Sequence, residues 1–296
     1  MKKLTSLLLI VSMIMLLFTS CSGPAKVKVN GVKIDNEIYT YFEDLVDESL
    51  SKSEKEKSIE KSISRYVTIN SEFNNRGLLL SSSEKTKLSE TVNNLWHLYG
   101  AHYDEIGVSK QTIFKIETSK AYENALLNFY YGENGPSPVS EDQIKTYFSE
   151  NFVAVRLVTG YLFNVDENGA NVPMTEDQKN NVVNSFNSVA TMVNGGSSLE
   201  EAVSSLGSGT EIRDSLVYVT DSGTLPEGFF AAAKAIENNK AAAIALGDYI
   251  FLVQRIDVFN TEYGYYSTYR TDCLKKMKGE DFSKIVDSWA EAYIAK

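Results

Sequence analysis

Histidine and cysteine each occur only twice in the 296 residues, and proline only five times. With cysteines at positions 21 and 273 alone, neither a disulfide framework nor a cysteine-rich zinc motif can be built. His97 and His102 stand five apart, not at the i, i+4 spacing of a helical zinc pair, so no metal site is expected from them. No Gly-x-Ser-x-Gly elbow, phosphate loop or dinucleotide fingerprint occurs, and no cofactor is implied. Positive charge is also short, with 29 Lys and Arg against 39 Asp and Glu and a formal net charge of −10, which makes nucleic acid a poor partner. The longest apolar run, Leu7 to Phe18, falls well below the roughly 20 residues a spanning helix needs.

That run is nonetheless informative. Lys2-Lys3 precedes it and small residues follow it up to Cys21, the pattern of a secretory signal peptide over residues 1–20. Leu17-Phe18-Thr19-Ser20-Cys21 resembles a bacterial lipobox, which implies cleavage before Cys21 and lipidation of its thiol. Each buried lipid CH₂ contributes about 0.8 kcal/mol, so two or three acyl chains hold a protein stably on a membrane surface. The expected mature chain is therefore anchored at the extracytoplasmic face of the cell membrane, with residues 21–26 as tether. Losing Lys2 and Lys3 takes its formal charge from −10 to −12. Cys273 then has no partner for an internal disulfide and is expected as a buried helix residue.

Apolar periodicity divides the rest. Val27 to Ile34 reads as a hairpin about Asn30-Gly31. Asp35 caps a helix striped by Ile38, Tyr41, Phe42, Leu45 and Val46. Its carboxylates Asp35, Glu37, Glu43, Asp44, Asp47 and Glu48 read as a solvated face. A second helix carries Ile59, Ile63, Tyr66, Val67, Asn70 and Phe73 up to Gly77. A third begins near Ser83, and a fourth runs from about Ser109 to Tyr131. Gly132 to Pro138 holds two of the five prolines and marks a boundary. Ser140-Glu141-Asp142-Gln143 has capping-box spacing for a short helix through Phe148. From Phe152 the order becomes β-α-α-β-α-β-β: a strand to Phe163, helices over 176–193 and 198–206, a strand over 215–219, a helix over 226–236, and strands over 241–246 and 249–258. Two further helices, 261–278 and 280–294, close the chain and are expected to pack back on the first region.

Four features in sequence carry a family resemblance: the Val-Asn-Gly hairpin before an acidic helix; Asn75-Arg76-Gly77-Leu78 before Ser83-Glu84; the hinge with Val139-Ser140-Glu141-Asp142-Gln143-Ile144-Lys145-Thr146-Tyr147-Phe148; and the β-α-α-β-α-β-β block. In this order they resemble the SurA/PrsA-type foldases. The resemblance implies an α+β protein, with a helical chaperone domain from both chain ends (27–150 and 260–296) and an inserted parvulin-like mixed-sheet domain (151–259). Within the block, Asn194-Gly195-Gly196-Ser197-Ser198-Leu199 is similar to the family's Gly-x-x-Phe helix start. Leu225-Pro226-Glu227-Gly228-Phe229 is similar to its proline-pocket segment, and Gly247-Asp248-Tyr249-Ile250-Phe251 to its closing strand. Leu225, Phe229 and Phe251 are the implied proline-binding residues.

The catalytic positions depart from the family pattern. Where parvulin domains carry two histidines, this chain has Tyr161, in Gly160-Tyr161-Leu162-Phe163, and Tyr249, in Gly247-Asp248-Tyr249; Arg213-Asp214-Ser215-Leu216 replaces a Gly-Gly-Asp turn. Imidazoles can donate or accept in either tautomer, whereas a tyrosine offers one hydroxyl titrating near pH 10. Weak or absent isomerase activity is therefore expected, with no residue assigned as catalytic. Seventeen tyrosines, fourteen phenylalanines and two tryptophans suit a surface for unfolded or newly secreted polypeptides, and Tyr263, Tyr265, Tyr266 and Tyr269 form the cluster to inspect. The implied function is a membrane-anchored foldase or chaperone, with homodimerisation left open. The alternatives are an active peptidyl-prolyl isomerase and a solute-binding lipoprotein of a transporter.

Overall fold

Serine and threonine place most of the helix starts. Ser81, Ser140, Thr175 and Ser198 each accept from the backbone N–H three residues on, at 3.2–3.3 Å, while the Glu or Gln at that position accepts back from the cap N–H. Each box satisfies two orphan amides and, at about 1 kcal/mol, fixes where a helix begins. In this computed structural model residues 28–29, 32–207, 211–219 and 225–294 are described. The signal segment, Cys21 with its tether, and the Asn30-Gly31 turn lie outside them.

The elements run β1 (Lys28–Val29), β2 (Val32–Lys33), α1 (Asn36–Asp44), α2 (Lys52–Asn75), α3 (Ser82–Glu105), α4 (Lys110–Tyr131), α5 (Glu141–Asn151), β3 (Phe152–Tyr161), β4 (Phe163–Val165), β5 (Asn171–Pro173), α6 (Glu176–Asn194), α7 (Leu199–Val203), β6 (Arg213–Tyr218), α8 (Phe229–Ala235), β7 (Ala241–Leu246), β8 (Tyr249–Ile256) and α9 (Tyr265–Ile294). The class is α+β. The chain divides into two compact units, one reaching Val139 and resuming at Leu274, the other Ser140–Cys273. Among the described residues, no helix is long and apolar enough to cross a membrane.

In the helical unit, α2, α4 and the part of α9 from Leu274 share a core that includes Ile63, Leu126, Phe282 and Val286, none more than 1% exposed. Tyr130 and Tyr131 meet Phe282 at 6.2 and 6.3 Å, and Trp289 closes on Tyr130 at 6.3 Å. The end of α4 and the C-terminal part of α9 are thus joined by aromatic contact. Arg65 of α2 links three elements at the rim: it donates to Glu123 at 2.5 Å, Ser283 at 3.2 Å and Asp287 at 3.3 Å. Glu37 on α1 accepts from Ser109 N, Ser109 Oγ and Thr112 Oγ1 at 2.9, 2.5 and 2.6 Å, placing a carboxylate at the N-terminus of α4. The apolar stripe expected along the first helix stops short, because the helix ends at Asp44 and Leu45 is 64% exposed.

In the second unit the four-stranded sheet has the order β6-β3-β8-β7, every neighbour antiparallel. This unit is wider than the 151–259 block. Phe148 of α5 is fully buried and packs on Phe152, Phe259 and Tyr266 at 4.8, 5.8 and 5.4 Å. Glu141 accepts from Tyr266 at 2.5 Å and from Arg270 at 2.9 and 3.0 Å, so α5 and the first turns of α9 belong with the sheet. These contacts also tie Tyr266 into the packing, while Tyr263 stacks on Tyr265 at 5.5 Å. Two expectations are corrected here. The final pair of helices is one helix: Gly279, with only Lys275 Cγ near its missing side chain at 3.7 Å, costs about 1 kcal/mol relative to alanine, too little to stop a packed helix. The strand expected to reach Phe163 ends at Tyr161, and a small hairpin, β4–β5, follows, turned by Asp166 accepting from Asn168 N and Ala170 N at 2.9 and 2.8 Å.

Candidate functional site

Side chains alternate across a strand, and the register puts odd-numbered residues of β3 and β8 on one face. Val153, Val155, Leu157, Phe251 and Val253 pack there beneath Phe229 and Ala233 of α8. Even-numbered Val158, Ile250 and Leu252 face α6 and α7, packing on Phe186, Val189 and Leu199. Across β3 and β8, Leu157 stands opposite Val253, Thr159 opposite Phe251, and Tyr161 opposite Tyr249. Helix α8 covers the first half of this face. The other half lies beside an open cavity of about 590 Å³ lined by Leu157, Thr159, Arg213, Asp214, Ser215, Leu225, Pro226, Tyr249 and Phe251.

The wall is positioned by α8. Gly228 precedes it at φ 85°, a conformation that suits glycine, and turns the Leu225–Pro226 segment into the helix. Arg255 on β8 donates at 2.6 Å to both Lys234 O and Ile236 O, holding the helix end against the sheet. Lys234 donates in turn to Ser149 O at 2.9 Å and to Glu150 O, near the C-terminal end of α5. Burial and the neighbouring Arg255 charge bring the Lys234 ammonium below its ordinary range.

The floor is apolar and the mouth aromatic. Phe229 and Phe251, 1% and 3% exposed, meet edge to face at 5.1 Å. Tyr249 stacks over Phe251 at 6.1 Å and touches Tyr161 at 5.7 Å; these two tyrosines are 40% and 53% exposed. Beneath them Gly160 leaves room for α6: a Cβ there would lie 2.5 Å from Phe186 Cζ and 2.9 Å from Ile250 Cγ2.

The structure thus brings together all five residues expected from sequence on the sheet unit: Tyr161, Tyr249, Leu225, Phe229 and Phe251. Sequence reasoning missed Leu157, Thr159 and the Arg213–Ser215 end of the cavity. Arg213-Asp214-Ser215-Leu216, which stands in place of the family's Gly-Gly-Asp turn, opens strand β6 two residues before the expected start at Ser215 and pairs with Leu157 to Ala154, which puts Arg213 and Ser215 on the cavity. Arg156 bonds Asp214, which also borders the cavity, at 3.0 Å and reaches Glu200 as well, and this bond to Arg156 holds the Glu200 carboxyl below its ordinary range. Both histidines lie on α3 of the helical unit, and His102 Nε2 is 2.9 Å from Asp44 Oδ2. Among the described residues no group of three or more His, Cys, Asp and Glu is arranged to hold a metal. Cys273 is fully buried on α9. Chemically the cavity offers apolar surface, π faces, hydroxyls, one guanidinium and one carboxylate.

No family model matches the chain, and no curated protein matches it in sequence. Solved structures similar to it include the foldase protein PrsA from Streptococcus pneumoniae str. Canada MDR_19A, at 13% identity over 92% of this chain and 93% of that one, with a TM-score of 0.43. The foldase protein PrsA of Lactococcus lactis is 12% identical over 92% and 93%, with a TM-score of 0.42, and PrsA from Bacillus subtilis is 13% identical over 93% of each chain, with a TM-score of 0.37.

Proposed function

We propose that the protein is an extracytoplasmic, lipid-anchored foldase or chaperone whose sheet unit takes extended polypeptide, with a prolyl or other apolar side chain in the cavity. One observation carries this reading: the cross-strand pair Tyr161–Tyr249 stands over the Phe229–Phe251 floor, beside Leu225 and Pro226, with its exposed rings at the mouth of an open cavity. Aromatic side chains present large, rigid, amphipathic area at small entropic cost, which suits varied clients. The resemblance of Leu17-Phe18-Thr19-Ser20-Cys21 to a lipobox supports the anchor.

Isomerase activity is weak or absent on this reading. Rotation about a prolyl bond faces a barrier of about 20 kcal/mol, and a site lowers it only by holding the twisted amide better than the planar one. Among the described residues no imidazole lines the cavity, so polarity around a prolyl ring comes from Tyr249, Thr159, Ser215, Arg213 and Asp214. Proline-limited refolding of a model client tests this. The expected result is an unchanged slow phase, with client aggregation falling in proportion to added protein and less so for Tyr249→Ala. Acceleration at substoichiometric protein, lost in Phe229→Ala, would make the chain an active isomerase without histidines. Neither effect, together with thermal stabilisation by a small solute, would turn the reading to solute capture.

A further inference from the structure

The aromatic rings of the sheet unit form a series. From the floor outward, Phe229 meets Phe251 at 5.1 Å, Phe251 meets Tyr249 at 6.1 Å, Tyr249 meets Tyr161 at 5.7 Å, and Tyr161 meets Phe163 at 5.0 Å. Exposure rises along it, from 1% at Phe229 to 53% at Tyr161. The buried rings are core, but the exposed end continues past the cavity onto β4. There it offers a π face to a side chain outside the pocket, since offset-stacked and edge-to-face partners at 4.5–7 Å are the favoured aromatic geometries.

At the other end of the cavity stands Arg213. Its strand position is opposite Leu157, whereas the tyrosine pair lies at Tyr161, four residues along β3. At about 3.3 Å per residue that is roughly 13 Å, the span of four residues of extended polypeptide. The Arg213 guanidinium, 66% exposed, pairs with Glu211 at 3.3 Å, and Glu211 is itself 72% exposed. Such a pair is worth about 1 kcal/mol at most and is readily exchanged for another carboxylate. Asp214, the acidic residue of the lining, is already bonded to Arg156. The cavity therefore presents one exposed, exchangeable guanidinium at one end, apolar surface in the middle and aromatic rings at the other end.

We propose that this cavity selects extended segments in which an acidic side chain and an aromatic side chain lie four residues apart on either side of the apolar or prolyl anchor. The acidic group exchanges with Glu211 on Arg213, and the aromatic ring stacks against Tyr161 and Tyr249. This rests on reading the cavity as a polypeptide site, and the experiment separates the two.

The blocked peptides Glu-Ala-Pro-Ala-Phe and Phe-Ala-Pro-Ala-Glu, covering both chain directions, are titrated into the protein by NMR beside their Glu→Lys and Phe→Ala versions. In at least one direction the Glu/Phe peptide binds about 5-fold tighter than either altered peptide, and the charge preference fades with salt. Arg213→Glu reverses the Glu-over-Lys preference and leaves the Phe preference. Arg213→Lys retains both, and Tyr161→Ala removes the Phe preference alone. Because both side chains are more than half exposed, folding is retained, which circular dichroism checks. Equal binding of every proline peptide overturns the inference and leaves the polypeptide site standing; no binding of any peptide overturns both.

Discussion

Replacing Gly160 by alanine should destabilise the sheet unit without touching any polar contact. The added Cβ would stand 2.5 Å from Phe186 Cζ, 2.9 Å from Ile250 Cγ2 and 3.0 Å from Phe186 Cε2. Real Cβ atoms essentially never come under 3.0 Å of another heavy atom, so something must move. Phe186 is 7% exposed and packed in the cluster of Val158, Val189, Ile250 and Leu252, so its ring has little freedom to swing away. Overpacking of this kind costs about 1–3 kcal/mol, which at an ordinary urea m-value lowers the transition midpoint by about 1 M. Far-UV circular dichroism during urea titration reads this loss. Tryptophan fluorescence run in parallel reports the helical unit, since Trp96 and Trp289 both belong to it. The partner variant Phe186→Leu removes the offending ring edge. The double variant should then be more stable than the two single losses add up to, by 1 kcal/mol or more. An unchanged midpoint in Gly160→Ala, or strict additivity with Phe186→Leu, would refute the claim that α6 rests on the bare backbone at residue 160.

Asn194 exchanges two 2.8 Å hydrogen bonds with the backbone of Ala241, so Asn194→Ala should cost about 1–3 kcal/mol, read as a lowered midpoint in the same dichroism titration. Arg65→Met leaves Glu123 and Asp287 without their shared cation; at their partial exposure the loss should be about 1–3 kcal/mol, read by the fluorescence of nearby Trp289. At Glu37, burial alone would raise the carboxyl, but hydrogen bonds from Ser109 and Thr112 and the Lys115 charge together hold it below the ordinary value. Its contribution is therefore present above about pH 4.5 and lost as pH falls through the folded value. Glu37→Gln should cost about 1–2 kcal/mol at pH 7 and less in acid, measured by urea titrations across pH. His102 has the opposite sign: its hydrogen bond to Asp44 raises it above 6.5, so its contribution is complete below pH 6.5 and disappears as pH rises through the folded value. His102→Gln should remove that dependence, and NMR titration of the ring reads the raised value directly.

Helix starts were the most legible part of the sequence, because the cap is local: Ser140 and Gln143 meet in space for the same reason they are three apart in the chain. Strand ends were less so. Leu162 continues an apolar run, and only the pairing of Leu162 N with Asp248 O, where the ladder closes, ends β3 one residue earlier. The hairpin that follows has strands of three residues with Val165 and Val172 exposed, so no alternation marks it, although Asp166 to Gly169 carries the turn chemistry. Gly279 misled in the other direction: glycine propensity is a weak prior, and the Phe282 and Val286 packing that carries α9 through it is tertiary.

The candidate site divides along the same line. Leu225, Phe229, Phe251 and the two tyrosines could be named because each lies in a segment that resembles a motif of the foldase family. Arg213 has no such local mark: it reaches the cavity only because β6 pairs with β3 in the register that sets it opposite Leu157. A slip of one residue between β3 and β8 would send Tyr161 or Tyr249 to the α6 face and expose Val158 or Ile250 in its place. Burying Val158, Ile250 and Leu252 beneath Phe186, all at 7% exposure or less, forbids that slip. The pairing of two half-exposed tyrosines over the cavity is therefore enforced from the far side of the sheet. On the proposed reading of the cavity as a polypeptide site, substitutions at Phe186, which is not among the residues lining the cavity, should weaken binding of the proline peptides through the alignment of Tyr161 with Tyr249, read by the same NMR titration.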